Sequence, residues 1–288
     1  MTEWKKLRKS CLACRLVAGL CLAVALTMPV MWHFGLSVSA TKTIADGQSS
    51  WILVSAVIFI AACISSTVGF AFSAIVAAAL LYVVPDHIRA IQIMLAASIG
   101  IQAYSVASLW QAVSWRTCAP FVGGGVAAIP VGVYLLMTID PRHYVLAMGL
   151  ALIVYGSYML FKSDRPKPIA VENPTIDVVI GALGGLVGAL TASPGALVVI
   201  RCSKRGWSKV AQRCVYQPYI LVMQIVTYGS LSAYRGHTVF DIELSLYAIP
   251  GVAGAFVGLK VFQALSDRQF QALVNLALIA SGLALAMK

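Results

Sequence analysis

The sequence has few charged side chains. Only 11% of its 288 residues are Asp, Glu, Lys or Arg, against 60% hydrophobic residues, whereas soluble domains carry about 25% charged residues. This shortage excludes an ordinary water-soluble domain, and the mean hydropathy of +0.88 agrees. Several apolar stretches of about 20 residues have the length that crosses a bilayer. We therefore predict an all-α polytopic membrane protein.

Acidic, histidine and cysteine residues are too few or too scattered for several kinds of site. The ten carboxylates all lie in loops or at segment ends, which disfavours a carboxylate-lined cation pathway. The four histidines have no ligand spacing, and the C-x-x-C pair Cys11–Cys14 has no second pair to complete a metal site. Chance explains that pair best, with lipidation or redox chemistry as alternatives. We predict no cofactor, no metal and no enzymatic activity.

The positive charge has a simple explanation. The net charge of +11 arises from lysines and arginines in short loops, as in cytoplasmic loops of membrane proteins. No basic patch interleaves with aromatic residues in a polar context, so we predict no nucleic-acid partner. The lipid bilayer and a small solute are the expected partners, and the sequence leaves the oligomeric state open.

The first apolar segment has two interpretations. Residues Leu16–Val38 follow a basic stretch and precede "SVSA" (Ser37–Ala40), which resembles a signal-peptidase site. The apolar run is long for a signal peptide, so we favour a retained extra helix within residues 1–49. In both cases the N-terminus is cytoplasmic.

Two interruptions break the apolar segments in similar places. They read "SSTVGFAFSA" (residues 65–74) and "TASPGALVVI" (residues 191–200). A shift of 126 residues lays "GVAAIPVG" (Gly125–Gly132) on "GVAGAFVG" (Gly251–Gly258), and Gly156 on Gly282. We predict two repeats, residues 50–162 and 176–288, joined by a cytoplasmic linker at 163–175. Each repeat has an interrupted helix pair, either re-entrant or fully crossing, and three transmembrane helices.

The loop charges predict that these repeats are inverted. Alternating assignment from a cytoplasmic N-terminus places sixteen of the 21 lysines and arginines inside and five outside, a positive-inside pattern. The loop after the first interruption then falls outside, and its counterpart, Arg201–Arg213, falls inside. Inverted repeats with broken helices are typical of secondary transporters, with the substrate site near the midplane.

The interruptions are the candidate substrate site. Irregular backbone inside a bilayer survives only in a protein interior or a water-filled cavity, and a helix beginning there offers N–H groups to an anion. The alternative is that the small residues only permit close helix packing, which we adopt for Gly123–Gly125, Gly181, Gly184 and Gly185. Farther along, Arg213 and Gln217 share a helix face, and Gln92 and Ser98 lie near the equivalent positions of the first repeat. The predicted substrate-binding residues are Ser66, Thr67, Gly69, Phe70, Gln92, Thr191, Ser193, Pro194, Gly195, Arg213 and Gln217.

Three stretches resemble the sulfite exporter TauE/SafE family of membrane permeases. They are "STVGFAFSAIVAAALLYVVPDHIRA" (Ser66–Ala90), "FVGGGVAAIPVGVYLL" (Phe121–Leu136) and "IGALGGLVGALTASPGALVV" (Ile180–Val199). The resemblance implies movement of sulfite, sulfonates or other small organic anions across a bacterial inner membrane. It implies a ligand region at Ser66–Phe70 and Thr191–Gly195. The second repeat of the family often has a run of glycines where this chain reads "TASPGA".

These observations predict a secondary transporter of small anions, with export as the family-based direction. Access would alternate by rocking of one repeat against the other. An anion channel of the same architecture is one alternative. A membrane assembly factor or enzyme that moves no solute is another.

Overall fold

A computed structural model describes residues 48–73, 75, 76, 80, 87–138, 146, 149, 150, 153–158, 173–235 and 245–286. The predicted N-terminal helix and most of the linker lie outside these residues. The described residues form helices and no strand. The helices whose bounds lie within these residues are α1 (Gln48–Val68), α2 (His87–Ser108), α3 (Trp115–Thr138), α4 (Pro174–Thr191), α5 (Gly195–Ser203), α6 (Lys209–Arg235), α7 (Ala248–Ala264) and α8 (Asp267–Ala286), with a 3-10 turn at Trp110–Ala112. Residues 153–158, among others, are also helical.

Four of the described helices, α1 to α4, are long and apolar enough to cross a membrane, and α7 is a shorter apolar helix. Large apolar side chains such as Ile52, Val131, Tyr134 and Ile249 are more than half exposed. On a soluble protein such a surface would be a liability, whereas in a bilayer it faces lipid tails. The prediction of an all-α polytopic membrane protein is confirmed.

Close backbone contact joins α3 to α4. A Cβ atom on Gly181 would come within 2.6 Å of the Phe121 Cα atom, and one on Gly185 within 2.7 Å of the Gly125 Cα atom. The contact positions increase together along both helices, so α3 and α4 run parallel. The packing role predicted for Gly124, Gly125, Gly181, Gly184 and Gly185 is confirmed. For Gly123 it is wrong, because a Cβ there would meet nothing within 4 Å among the described residues.

The same kind of contact joins α1 to α7. A Cβ atom on Gly254 would come within 2.8 Å of the Ala62 Cβ atom, and one on Gly258 within 2.9 Å of the Ser66 Cβ atom. These helices therefore also run parallel. Glycine is needed at both interfaces because the helix backbones approach too closely for a side chain.

Helices α2 and α6 pack against each other between these two pairs. Tyr216, Tyr219 and Met223 of α6 are fully buried, as are Met94 and Leu95 of α2. Both helices also bury many polar side chains, among them Ser98 and Gln102 of α2 and Arg213, Gln217 and Gln224 of α6. The core of the molecule is therefore the place where polar side chains are held away from lipid.

Both predicted interruptions are present. Helix α1 ends at Val68, and the chain passes through Gly69 and Ala71, which have φ angles of 96° and 75°. Helix α4 ends at Thr191, and Ala192 follows with a φ of 57° before α5 begins at Gly195. A left-handed residue ends a helix because it turns the chain away from the helical path.

Candidate functional site

The two breaks meet in the interior. The Ser73 hydroxyl of the first break donates to the Ala192 carbonyl of the second, at 2.5 Å. A Cβ atom on Gly195 would lie 3.4 Å from the Phe70 Cβ atom. Between the breaks lies a cavity of about 10 Å³, roughly the space of one water molecule. Its lining residues are Phe70, Ala71, Phe72, Ser73, Ser98, Gln102, Ala192, Ser193, Pro194, Gly195, Ile220 and Gln224.

The first break is held by side chains from neighbouring helices. Tyr216 donates its hydroxyl to the Val68 carbonyl at 2.8 Å, and Arg213 donates to the Ser66 carbonyl at 2.7 Å. The Gln102 amide donates to the Gly69 carbonyl at 3.5 Å. These donors satisfy carbonyls that the end of α1 leaves without intrahelical partners.

Gly69 is required at this break for two reasons. Its φ of 96° is unfavourable for any residue with a side chain. A Cβ atom there would also come within 2.7 Å of the Tyr216 Cε2 atom. The glycine thus allows the tyrosine ring to close over the break.

The second break is held mainly by its own backbone. Ala192 caps α4 in the left-handed conformation, and Pro194 precedes the first turn of α5 without a side-chain hydrogen bond to that turn. Pro194 packs so closely on α4 that a Cβ atom on Gly188 would lie 2.8 Å from its Cα atom. The N–H groups of the first turn of α5 therefore begin at the cavity wall without a capping side chain.

The structure brings only some of the predicted site residues to the cavity. Phe70, Ser193, Pro194 and Gly195 line it. The remaining predicted residues, Ser66, Thr67, Gly69, Gln92, Thr191, Arg213 and Gln217, lie outside the lining.

Several of these residues have other partners. The Thr67 hydroxyl donates to the Cys63 carbonyl at 2.9 Å and lies 3.3 Å from the Gly258 carbonyl on α7. The Thr191 hydroxyl donates to Val187 within its own helix, at 2.8 Å. Threonine commonly bonds in this way to the preceding helical turn.

Arg213 and Gln217 form a second polar cluster, which contacts the end of α1 at the Ser66 carbonyl. The Arg213 guanidinium is fully buried and lies 4.0 Å from the centre of the Phe262 ring. With the Gln217 amide turned so that its oxygen faces the arginine, that oxygen accepts from Nη2 at 2.8 Å and from Nε at 3.2 Å. Hydrogen bonding assigns this amide orientation. The predicted shared face of Arg213 and Gln217 is thus confirmed.

The predicted site residues do not include Ser73 of the first break, nor two polar cavity residues outside the breaks, Gln102 and Gln224. The Gln224 amide donates to the Ser98 hydroxyl at 2.6 Å and joins α6 to α2. Within the described part of the chain, the Oε1 atoms of Gln102 and Gln224 are buried without a hydrogen-bond partner. The available signal was spacing, since Ser98 and Gln102 lie one helical turn apart in an apolar segment.

The cavity itself contains no ionisable side chain among its lining residues. Its polarity comes from hydroxyl and amide groups and from the N-terminus of α5, whose dipole favours negative charge. Among the described residues, no group of three His, Cys, Asp or Glu side chains is placed to hold a metal ion. Such a lining suits transient binding of a small polar or anionic solute.

Comparison with known proteins gives one family. A family model described as "Sulfite exporter TauE/SafE" matches residues 54–285, which is most of the chain and includes both breaks. No curated protein and no solved structure matches the chain.

Proposed function

The chain belongs to the sulfite exporter TauE/SafE family, and on this premise we propose that it is a secondary transporter that exports small anions. The substrate class is sulfite, organosulfonates or other small organic anions. The observation that carries the proposal is that two broken helices meet at one polar cavity. Broken helices in a membrane are tolerated where they line a path for solutes.

The second break is the proposed contact for negative charge. The first turn of α5 offers N–H groups that no side chain caps, beside the Ser193 hydroxyl. The absence of a side chain on Gly195 lets Ile220 of α6 pack against the start of α5, since a Cβ atom there would lie 2.9 Å from the Ile220 Cγ1 atom. The Ala192 carbonyl, which would repel an anion, accepts the Ser73 hydroxyl. These features favour an anion over a cation.

The direct ligand contacts in this proposal are Phe70, Ser193, Pro194 and Gly195. Ser66, Thr67, Gly69 and Thr191 shape the two breaks. Arg213 carries a positive charge beside the first break and is hydrogen-bonded to the neutral Gln217 amide. Gln92 is a buried polar residue near the start of α2.

The size of the cavity supports a moving mechanism. A space for one water molecule does not admit sulfite, so binding requires the two breaks to separate. Only one described side-chain hydrogen bond, from Ser73 to Ala192, joins the breaks directly. We propose that one repeat rocks against the other and opens the cavity alternately to each side.

Helix directions support the inverted repeats on which this mechanism depends. The N-terminal turn of α6 lies at the C-terminal ends of α1 and α7, where Arg213 donates to Ser66 and Lys209 donates to the Phe262 carbonyl at 2.8 Å. Burial lowers the pKa of Lys209, Asp267 opposes that effect, and Arg213 adds to it. Helix α6 thus runs opposite to α1 and α7, as inversion of residues 50–162 and 176–288 requires.

A reciprocal contact supports the same arrangement. A Cβ atom on Gly156 would lie 2.8 Å from the Ile279 Cγ1 atom, and one on Gly282 would lie 2.7 Å from the Ile153 Cγ1 atom. Each pair becomes the other when 126 is added or subtracted. A pseudo-two-fold axis between the halves explains this exchange.

The chain is a multi-pass membrane protein, and we propose the bacterial inner membrane with a cytoplasmic N-terminus. The excess of lysine and arginine in the loops assigned to the inside supports this orientation. The linker at 163–175 and residues 1–49 would then begin on the cytoplasmic side.

Radiolabelled sulfite flux in proteoliposomes tests the function. We expect saturable flux with the wild-type protein and at least tenfold slower flux with Ser193→Leu, because leucine fills the cavity. Ser193→Ala should keep most of the flux. Ser108→Leu is the matched control at an exposed position on α2.

Three results would overturn the proposal. Equal flux in wild type and Ser193→Leu would move the site elsewhere. Large unitary currents in planar bilayers would make the protein a channel. No flux of sulfite or of any sulfonate, together with a stable co-purifying partner, would favour an assembly factor.

A further inference from the structure

A buried cluster of charges lies at the opposite end of α4 from the cavity. Asp177, in the first turn of α4, accepts from Arg201 Nε at 3.1 Å and from Arg205 Nη2 at 2.5 Å. Each side chain of this trio is more than nine-tenths buried. About 15 residues of helix, or about 20 Å, separate Asp177 from Ala192. Arg201 and Arg205 lie six and ten residues beyond Gly195, and no member of the trio lines the cavity. The trio is therefore distinct from the cavity between the breaks.

The trio of Asp177, Arg201 and Arg205 carries two positive charges and one negative charge. One carboxylate uses both of its oxygens on two guanidinium groups, which leaves a net charge of +1. Among the described residues, Arg201 Nη2, Arg205 Nε and Arg205 Nη1 are buried without a hydrogen-bond partner. Buried donors of this kind are rare in proteins, and an uncompensated buried charge is costly.

Aromatic rings account for only part of this imbalance. The Arg205 guanidinium lies 4.8 Å from the centre of the Trp207 ring and 5.9 Å from that of Phe121. Ring faces attract a cation but supply no acceptor in the guanidinium plane. Three free donors from two guanidinium groups match an oxyanion, because its several oxygens accept from both groups at once.

We propose that Arg201 and Arg205 form a second anion site, which binds a small oxyanion beside Asp177. The oxyanion neutralises the excess charge and accepts from the free guanidinium nitrogens. The Trp207 ring lies against the buried Arg205 guanidinium and is itself partly exposed, and the neighbouring Gly206 is exposed with a φ of 69°. Rotation of the tryptophan would give access. On the proposed topology this site faces the cytoplasm.

Two kinds of ligand carry a suitable oxyanion group. One is a free anion such as sulfite or sulfate, and the other is the phosphate of an anionic lipid. Both present oxygens to the guanidinium groups. The test of this site does not depend on transport activity, because it measures anion binding at equilibrium. Failure of the flux experiment would therefore leave this proposal standing, and loss of this site would leave the central cavity intact.

Isothermal titration of the full chain in lipid-free detergent, with sulfate and then sulfite as probes, tests the site. Arg201→Gln lowers the net charge of the trio to zero while Asp177 stays ion-paired with Arg205. We expect it to weaken binding at least about tenfold. Asp177→Asn raises the net charge to +2 and should tighten binding. Lys204→Gln removes an equal charge from the same segment and should change binding less than twofold.

A second arm adds short-chain phosphatidylglycerol. Competition between this lipid and sulfate identifies the lipid phosphate as an alternative occupant of the same site. Equal affinity in wild type, Arg201→Gln and Asp177→Asn, or no binding to the wild type in either arm, would overturn the proposal. An ion pair with a purely structural role predicts that result, with lower thermal stability as the only effect. Gel filtration of each variant establishes that the compared proteins are folded, and if one variant fails, the other gives the sign of the effect.

Discussion

The two breaks occupy corresponding places in the sequence but are built differently. At the first break, Arg213, Tyr216 and Gln102 donate to the carbonyls of residues 66, 68 and 69. At the second, the left-handed Ala192 and the following Pro194 turn the chain. The first break is fixed by groups from α6 and α2, whereas the second depends mainly on its own backbone.

This difference separates two tasks. The carbonyls at the first break already accept hydrogen bonds from protein side chains. This break forms one wall of the cavity. The second break leaves the N–H groups at the start of α5 without a side-chain cap and places Ser193 beside them. We infer that the first break holds the cavity wall in position and that the second break binds the anion. Substitutions that act on one break and spare the other can test this division.

The largest effect is expected at the first break from Gly69→Ala. The added methyl group meets Tyr216 and the positive φ becomes unfavourable, so the free energy of unfolding should fall by at least about 3 kcal/mol. Unfolding in a graded detergent series measures it. Gly123→Ala is the control, because its methyl group meets nothing among the described residues. Equal stability of the two variants would contradict this account of the first break.

Tyr216→Phe should have the next largest effect. It leaves the buried Val68 carbonyl without its donor, which costs about 1–3 kcal/mol. Tyr219→Phe removes an equivalent bond, 2.8 Å long, to the Gly181 carbonyl on α4. Both variants should lose similar stability, but only Tyr216→Phe should also slow sulfite flux. Equal flux in the two variants would remove the positioning role of the first break.

Ser73→Ala tests the direct bond between the breaks. Loss of the donor to Ala192 should lower the free energy of unfolding by about 1 kcal/mol. Ser108→Ala is the control, since its hydroxyl bonds within its own exposed helical turn. A loss no greater than that of the control would indicate that the two breaks are not coupled through this bond.

The smallest effect is expected from Ala192→Gly at the second break. Glycine relieves the left-handed strain, about 1–2 kcal/mol, but loses about 0.5–1 kcal/mol through its greater freedom when unfolded. The net change in unfolding free energy should be within about 1 kcal/mol, measured in the same detergent series. A loss as large as that of Gly69→Ala would erase the contrast between the breaks.

The sequence predicted the helices and both breaks because glycine, proline and hydroxyl residues are conspicuous in apolar segments. Of the six glycines that it assigned to helix contacts, only Gly123 was wrong, since a one-dimensional pattern does not reveal which face of α3 meets α4. It did not single out Gly254 and Gly258, which lie between α1 and α7. The capping of the first break by Tyr216 and Gln102 was not predictable. Those contacts join residues far apart in sequence, and their partners are backbone carbonyls that have no sequence signature.

The central claim is that the second break lines a path that opens to each side in turn. Ser193→Cys, alkylated by a membrane-impermeant reagent in right-side-out and inverted vesicles, tests it most directly, with the wild-type protein as the background for its own cysteines. We predict labelling from both sides, slowed by sulfite in both orientations. Labelling from one side only, or at a rate that sulfite does not change, would contradict the claim.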